Sequence, residues 1–417
     1  MKVVELPRLI ALAAFVMAKS SIRARYLSLS AGIIYISLSL LLVLFTKEKG
    51  VGGARDLELR RSPNLVARFE SNRLVLENFF TQERFESSPG AFELLAHMEK
   101  WRTPEQVSVE FAGYDKKSII ENVNRMFEMG LLITKDSPEN QFDSRISRGS
   151  AAWPIPSRYF HFATKTSEIW ITPTKVKKHY ERVLRERTQP PMYKEYEHTS
   201  RVKLSRDPLE ASVDFYTVLL DRKTVRDFTE QPLTFSELSN ILRLTWGRVS
   251  YYKTEEFGLL LHKTSPSAGA RHPTEVYPVV NNVEGVERGI YHYNVKENSL
   301  ELIRKGDFRK DCDRFCSGQK WAGASCALFI MTSIVSRTTW KYRVPRTYRA
   351  LLLDVGHLSQ TFCLVCTAMK LGPFCTGVTS DKLVEAAIGI DGIEETILFV
   401  VGVGRPRPPA SSHSDIE

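Results

Sequence analysis

No cysteine precedes Cys312, and the six in the chain (Cys312, Cys316, Cys326, Cys363, Cys366, Cys375) are confined to its C-terminal third. That distribution excludes a small disulfide scaffold and points to a reducing compartment. The spacing Cys363-x-x-Cys366 invites a redox or metal reading, but no second ligand pair of matching spacing accompanies it. Positions i and i+3 share one face of a helix, so buried structural thiols are the preferred reading and no metal site is expected. Also missing are the P-loop, HExxH, GxSxG, GxGxxG and protein-kinase signatures, which removes several large enzyme classes. No zinc-finger, basic-zipper or RNA-binding signature occurs, and nucleic acid is not an expected partner.

What is present is a globular composition. The chain is 43% hydrophobic and 25% charged, which excludes bulk disorder, and its 417 residues suffice for two or three domains. The net charge of +10 favours anionic ligands such as phosphates, or a membrane surface, although a solvated basic face accounts for most of it.

Residues 28–45 (SLSAGIIYISLSLLLVLF) carry no charge. As a helix this run extends about 27 Å, close to the hydrocarbon thickness of a bilayer. Lys19, Arg23 and Arg25 precede it and Lys47 and Lys49 follow, so the flanks assign no orientation. A shorter apolar run, 9–18, follows Lys2 and Arg8 in the manner of a signal peptide. Residues 1–54 read as a hydrophobic membrane anchor, ahead of a buried helical hairpin or an upstream start. The catalytic part is then expected in the cytoplasm.

Residues 60–136 have the pattern of a small winged-helix-like domain. A hairpin over 65–80 turns at Ser71-Asn72, and Ser88-Pro89 opens a helix carrying Phe92, Leu95 and Met98. Thr103-Pro104-Glu105-Gln106 matches a capping box. A helix over 115–129 places Ile119, Ile120, Val123, Met126 and Phe127 at helical spacing, Gly130 stops it, and 131–134 is strand-like. These helices lack a dense basic face, so peptide or protein binding, or simple packing, ranks above DNA reading. Residues 137–207 are polar and read as an extended connector, with a basic helix near 175–188.

Residues 208–408 form the main domain. The pattern predicts a helix over 232–246 capped by Thr234 and Glu237, a strand over 275–283, and a hairpin over 289–303 turning at 296–299. Runs 326–335 and 396–403 suit strands buried on both faces, and 346–371 a central helix ended by Gly372-Pro373. The class is α+β, a mixed sheet flanked by helices.

Four segments carry candidate chemistry. Arg222-x-Thr224-x-Arg226-x-Phe228 offers guanidinium forks and a hydroxyl suited to phosphate. Ser265-Pro266-Ser267-Ala268-Gly269-Ala270 is a small-residue loop that a flat ligand can approach. Trp340-Lys341-Tyr342 sets a lysine beside a tyrosine, candidate bases once burial lowers the lysine pKa. Gly372-Pro373-Phe374-Cys375-Thr376-Gly377, with Gly402-x-Gly404-Arg405-x-Arg407, gives backbone access and closing arginines. Taken singly, each also reads as an ordinary turn or a solvated basic stretch.

In this order the segments resemble the nitroreductase family, most closely its SagB-type dehydrogenase branch. Tyr159-Phe160-His161-x-x-Thr164-Lys165 and Pro191-x-x-Lys194-x-Tyr196 extend the likeness upstream to about residue 150. The resemblance implies an FMN-dependent nitroreductase-like fold, a domain-swapped homodimer with flavin between its subunits. It implies Arg222 and Thr224, with Lys223 between them, at the FMN phosphate, and Arg226 at the pyrimidine edge. Pro266, Ser267 and Ala268 would line the ring from the partner subunit, Thr376 and Gly377 would face its other side, and Arg405 would reach the phosphate. Lys341 and Tyr342 match the bases of azoline-oxidising members, which aromatise thiazoline or oxazoline rings in ribosomally made peptides. Such peptides, and a cyclodehydratase complex, are the implied partners. Ala270 stands where general nitroreductases carry asparagine, which argues against a simple reductase. The alternatives are an NAD(P)H-dependent nitro or quinone reductase, and a non-catalytic membrane-tethered scaffold with a decayed flavin site. Retention of the arginine and Pro-Ser motifs counts against the scaffold.

Overall fold

The computed structural model describes residues 56–148, 154–165, 173–208 and 213–408. The expected anchor at 28–45 lies outside them. The chain divides into two compact units, with the boundary after Phe162.

The first unit holds β1 (Arg60–Arg61), β2 (Leu65–Glu70), β3 (Arg73–Asn78), β4 (Glu83–Ser87), α1 (Pro89–His97), α2 (Pro104–Glu110), α3 (Lys116–Glu128), β5 (Leu132–Ile133), α4 (Pro138–Arg148) and α5 (Ile155–Ala163). Ser71 takes φ 54° at the hairpin turn, where Glu70 pairs with Arg73. Thr103 and Gln106 close a reciprocal capping box on α2, and the Asp115 carboxylate accepts from Ser118 N at 2.8 Å to start α3. Leu95, Met98, Val107, Val123 and Met126 then meet in one core with Leu59, Leu76 and Leu132. β4 completes a sheet ordered β2-β3-β4 and is one of its two outer strands.

Residues 138–163 correct the expectation of an extended connector, because they form α4 and α5. Their aromatics supply the missing apolar surface: Phe142 packs on Phe80 and Phe162 with ring centroids 5.2 and 5.1 Å apart. Buried Glu139 accepts from Asn64 Nδ2 at 2.9 Å and Asn78 Nδ2 at 3.2 Å, which satisfies its charge locally.

The second unit contains α6 (Pro173–Glu186), β6 (Arg201–Lys203), α7 (Phe215–Asp221), α8 (Phe235–Thr245), β7 (Ser250–Thr254), β8 (Gly258–His262), β9 (Thr274–Val280), β10 (Gly289–Asn294), β11 (Ser299–Lys305), α9 (Arg309–Phe315), α10 (Lys320–Ala324), β12 (Ala327–Ile334), α11 (Val335–Thr339), α12 (Thr347–Ala368), β13 (Gly372–Thr376), α13 (Asp381–Ile388) and β14 (Glu395–Gly404). Seven strands pair in the order β13-β14-β12-β9-β10-β11-β6. The α+β class holds. Its described ladders are all antiparallel, where mixed pairing was expected, and the parallel contact is an isolated bridge between Leu233 and Val283. A near-continuous apolar run such as β9 or β12 signals burial on both faces and carries no information about strand direction.

The central helix α12 buries Leu351, Val355, Leu358, Phe362 and Cys366. Phe362 packs on Phe329 of β12, whose ring stacks on Trp246 with centroids 5.5 Å apart. Among the described residues, α12 is the helix long and apolar enough to cross a membrane, yet its buried face belongs to this core. Lys370 at φ 58° turns the chain into β13. At Gly372 a Cβ would lie 2.8 Å from the Val225 side chain, so the approach of β13 to the 222–228 segment requires glycine.

A buried charge network braces the sheet. His292 contacts Glu275 at 3.0 Å and Glu301 at 2.9 Å, and Arg337 pairs with Glu275 at 2.6 Å. Burial opposes protonation of His292, but its two carboxylate partners outweigh that and raise its pKa. Burial likewise penalises the Glu275 charge, yet Arg337 and His292 hold its pKa down at about 2.

Candidate active site

The predicted residues gather into two groups on opposite faces of α12. The first is centred on the small-residue loop. Ser265 Oγ lies 2.7 Å from Thr361 Oγ1, Ser267 Oγ donates to Asp354 at 2.5 Å, and Ala268 N donates to the same carboxylate at 3.3 Å. Asp354 and Thr361 are seven residues apart and therefore share one helix face, which pins the loop. Burial raises the pKa of Asp354, and the two donors pull against that.

The pinned loop is conformationally demanding. Gly269, Ala270 and His272 take φ of 63°, 53° and 43°, so a strained turn persists because the surrounding bonds hold it. A Cβ on Gly269 would lie 2.4 Å from Tyr342 Oη and 3.1 Å from Lys341 Nζ. Loop and base pair are thus in contact. The loop and Lys341 line a cavity of about 450 Å³ together with Lys263 and Phe257.

Lys341 is 6% exposed, and its ammonium sits over the rings of Phe257 (4.0 Å), Tyr180 (5.0 Å) and Tyr342 (5.5 Å). Burial lowers its pKa, and the Arg271 guanidinium adds to the effect. Burial pushes Tyr342 up to about 12, helped by a hydrogen bond with Tyr180. The environment therefore drives the pair apart, the Lys341 pKa downward and the Tyr342 pKa upward. Half-buried His272 contacts the Leu261 carbonyl at 3.1 Å and is held neutral, its pKa pushed down to about 3 chiefly by desolvation.

The second group is an exposed phosphate-type edge. Val225 N donates to Pro373 O at 2.9 Å, Thr229 N to Arg405 O at 2.9 Å, and Arg407 N to Asp227 O at 3.1 Å. These bonds bring the 222–228 segment against β13 and the end of β14. Lys223 and Thr224 are exposed, and no described carboxylate pairs with Arg222 or Arg226; the Arg226 guanidinium lies 5.2 Å from the Trp321 ring. Two uncompensated guanidinia and a hydroxyl in one exposed segment fit a phosphate monoester such as that of FMN. Thr376 is buried with Gly377 exposed beside it. Arg405 is placed differently from the expectation. Its guanidinium pairs with Glu237 at 2.7 Å and with the Pro232 carbonyl at 3.2 Å, which commits it to the capping-box glutamate.

Cys375 also belongs to this edge. It is exposed, meets Ser359 and Cys363 of α12, and has its pKa lowered to about 6, first by the Cys363 thiol and further by Ser359, Arg222 and Arg226. Ser359 and Cys363 lie on the helix face opposite Asp354 and Thr361. None of Arg222, Thr224, Arg226, Thr376 and Gly377 lines the Lys341 cavity. Cys363 and Cys366 are both buried, as the i, i+3 reading expects, and the described residues contain no cluster able to hold a metal.

The nitroreductase family model matches residues 219–405, which takes in both groups. A Methanocaldococcus jannaschii protein that carries a nitroreductase name is 32% identical over 188 residues, covering 45% of this chain and 89% of its own. The chain belongs to the nitroreductase family. The trifolitoxin operon protein TfxC of Rhizobium leguminosarum bv. trifolii is 25% identical over 372 residues, spanning 84% of this chain and all of its own length. The trifolitoxin-processing protein TfxB of the same organism is 30% identical over 200 residues, 46% of this chain and 48% of its own. A crystal structure from Anabaena variabilis, also named as a nitroreductase, has a TM-score of 0.48 at 25% identity, over 60% of this chain and 47% of that one.

Several nitroreductase-unit residues in these groups escaped sequence reading. Asp354 looked like one more polar residue on a helix, and Tyr180 and Phe257 come from segments without any motif. Lys263, three residues before Pro266, carried no signal beyond its proximity to that loop.

Proposed function

We propose that this chain is an FMN-dependent dehydrogenase of the SagB type, oxidising azoline rings of a ribosomally made peptide to azoles. The observation that carries the reading is the packing of buried Lys341 and half-buried Tyr342 against the Gly269 loop, with their pKa values driven apart. FMN, when bound, supplies the hydride acceptor. Arg222, Thr224 and Arg226 would hold it, with Lys223 beside them, while Thr376 and Gly377 offer one wall and Pro266, Ser267 and Ala268 the other. Lys341 Nζ takes the Cα proton of the ring, and Tyr342 Oη donates a hydrogen bond that orients the substrate. The two groups occupy opposite faces of α12, which supports a homodimer in which one copy's loop faces its partner's phosphate edge.

A peptide substrate agrees with two further features. A second cavity of about 640 Å³ extends from Tyr342 along Val344, Thr347, Ala350 and Leu353, giving room for residues flanking the ring. In the first unit, outer strand β4 and α3 border a groove lined by Phe85, Ser87, Asn122 and Met126, a shape suited to an added extended strand. TfxC and TfxB, whose names tie them to trifolitoxin, support peptide modification over reduction of a free small molecule.

The test is the visible spectrum of the purified full-length protein, with mass spectrometry of released cofactor, followed by incubation with an azoline peptide. Flavin bands, an FMN mass and loss of two hydrogens per ring are expected. A protein that stays colourless after incubation with FMN overturns the oxidoreductase reading. Rapid bleaching by NADPH with no azoline oxidation replaces it with a nitro or quinone reductase.

A further inference from the structure

Lys263 is the least expected group in the Lys341 cavity. It follows β8 directly, and its neighbours anchor the backbone there: Thr264 Oγ1 donates to Leu244 O at 2.6 Å and Ser265 bonds Thr361. Its side chain is 8% exposed and lines the cavity, and no described residue gives its ammonium a hydrogen bond or ion pair. The carboxylates whose fields reach it are already engaged, Glu275 by Arg337 and His292 and Asp354 by Ser267 and Ala268.

The remaining charged or titratable groups on the cavity wall do not balance it. Lys341 is a second buried amine, His272 is neutral, His262 is exposed and bound to Ser250, and Tyr252 and Glu256 are exposed. The Arg337 guanidinium adds positive potential. A buried ammonium facing a ligand-sized space, with no counter-charge of its own, is stabilised by an anionic group brought in by the ligand. Phe257, Leu260 and Leu261 line the same cavity and offer apolar contact to whatever carries that group.

We propose that Lys263 forms a carboxylate subsite in the Lys341 cavity, which selects ligands carrying a carboxylate on an apolar body. This deepens the peptide reading above by giving its substrate an acidic group near the reacting ring. The subsite itself rests on geometry and is tested by binding without turnover, so a failed azoline assay and a failed subsite are separate results. Desolvation lowers the Lys263 pKa to about 8, and carboxylate binding draws on the protonated form. The preference should therefore fade as pH rises through that value.

The probe is phenylacetate, compared with neutral phenylacetamide, by calorimetric titration of the full-length protein at pH 7. We expect the acid to bind about 10- to 100-fold more tightly than the amide, the span of one charge-assisted hydrogen bond. Lys263→Met should abolish that preference, and Lys263→Arg should keep part of it. Equal affinities in the wild type, or a preference that survives Lys263→Met, overturn the proposal. A second measurement needs no variant: phenylacetate should shield Lys263 from acetylation by acetic anhydride, mapped by peptide mass spectrometry, where phenylacetamide does not. Unchanged Lys263 labelling with phenylacetate present counts equally against it.

Discussion

The loop-and-lysine cavity and the phosphate edge lie on opposite faces of one helix and follow different physics. The edge is local in sequence and open to water. Arg222, Thr224 and Arg226 alternate along one exposed segment, and their charges act by simple availability. The cavity is assembled from distant pieces: Tyr180, Lys263, Gly269, Lys341 and Asp354 meet only after folding, and desolvation changes the chemistry of each amine. On the proposed function, binding by such an edge would tolerate small displacements, whereas proton transfer in the cavity would depend on close placement. Substitutions in the two places should therefore fail in different ways.

The largest separation is expected from Lys341→Met. Azoline oxidation, followed by mass spectrometry, should fall about 10²- to 10⁴-fold, the range of a lost general base, while the flavin spectrum stays intact. Full-rate oxidation by this variant would remove Lys341 from the chemistry and erase the contrast. Arg222→Ala should do the reverse. FMN affinity, read by fluorescence on release, should weaken about 10- to 100-fold, as for a lost charge-assisted contact. The fully loaded variant should keep its turnover.

Gly269→Ala sharpens the comparison inside the cavity. Its new methyl would meet Tyr342 Oη at 2.4 Å, and φ of 63° disfavours alanine. Turnover should drop about tenfold or more with FMN retention unchanged, since a misplaced catalytic group is costly. A variant as active as the wild type would show that Tyr342 need not stay where it is.

Acid should separate the charge network from the exposed edge. Glu275 has a folded pKa of about 2, below its ordinary value of 4.5. Its stabilisation is present above pH 4.5 and is lost as pH falls towards 2. Thermal unfolding should therefore show a falling midpoint over that window, and Glu275→Gln should flatten the slope. The smallest effect concerns Cys375, whose thiol is lowered to about 6 beside Arg222 and Arg226. It should alkylate with iodoacetamide faster at pH 7 than the five buried cysteines, and bound FMN should slow it. Equal rates would show that the edge does not activate the thiol.

Much of the architecture was legible in the chain. The capping boxes at Thr103 and Thr234, the hairpin turning near 296–299, the buried strands β12 and β14 and the helix ending before Gly372 all follow from local rules. Several elements were not. The β7–β8 hairpin, α9, α10 and α13 are short, with few turns or pairs to reveal a period. Helices α4 and α5 hid behind a polar composition, because their stabilising aromatics lie far from Phe79 and Phe80 in sequence.

The sequence by itself determined many of the elements, the family and the motif residues of the two groups, since each depends on side chains within a few positions of one another. Tertiary structure alone decided which of them meet. It paired Arg405 with Glu237, placed the loop and the edge on opposite faces of α12, and buried Lys263 in the wall of the Lys341 cavity without an ion-pair partner among the described residues. Those outcomes depend on desolvation and long-range contact, and spacing along a chain carries neither.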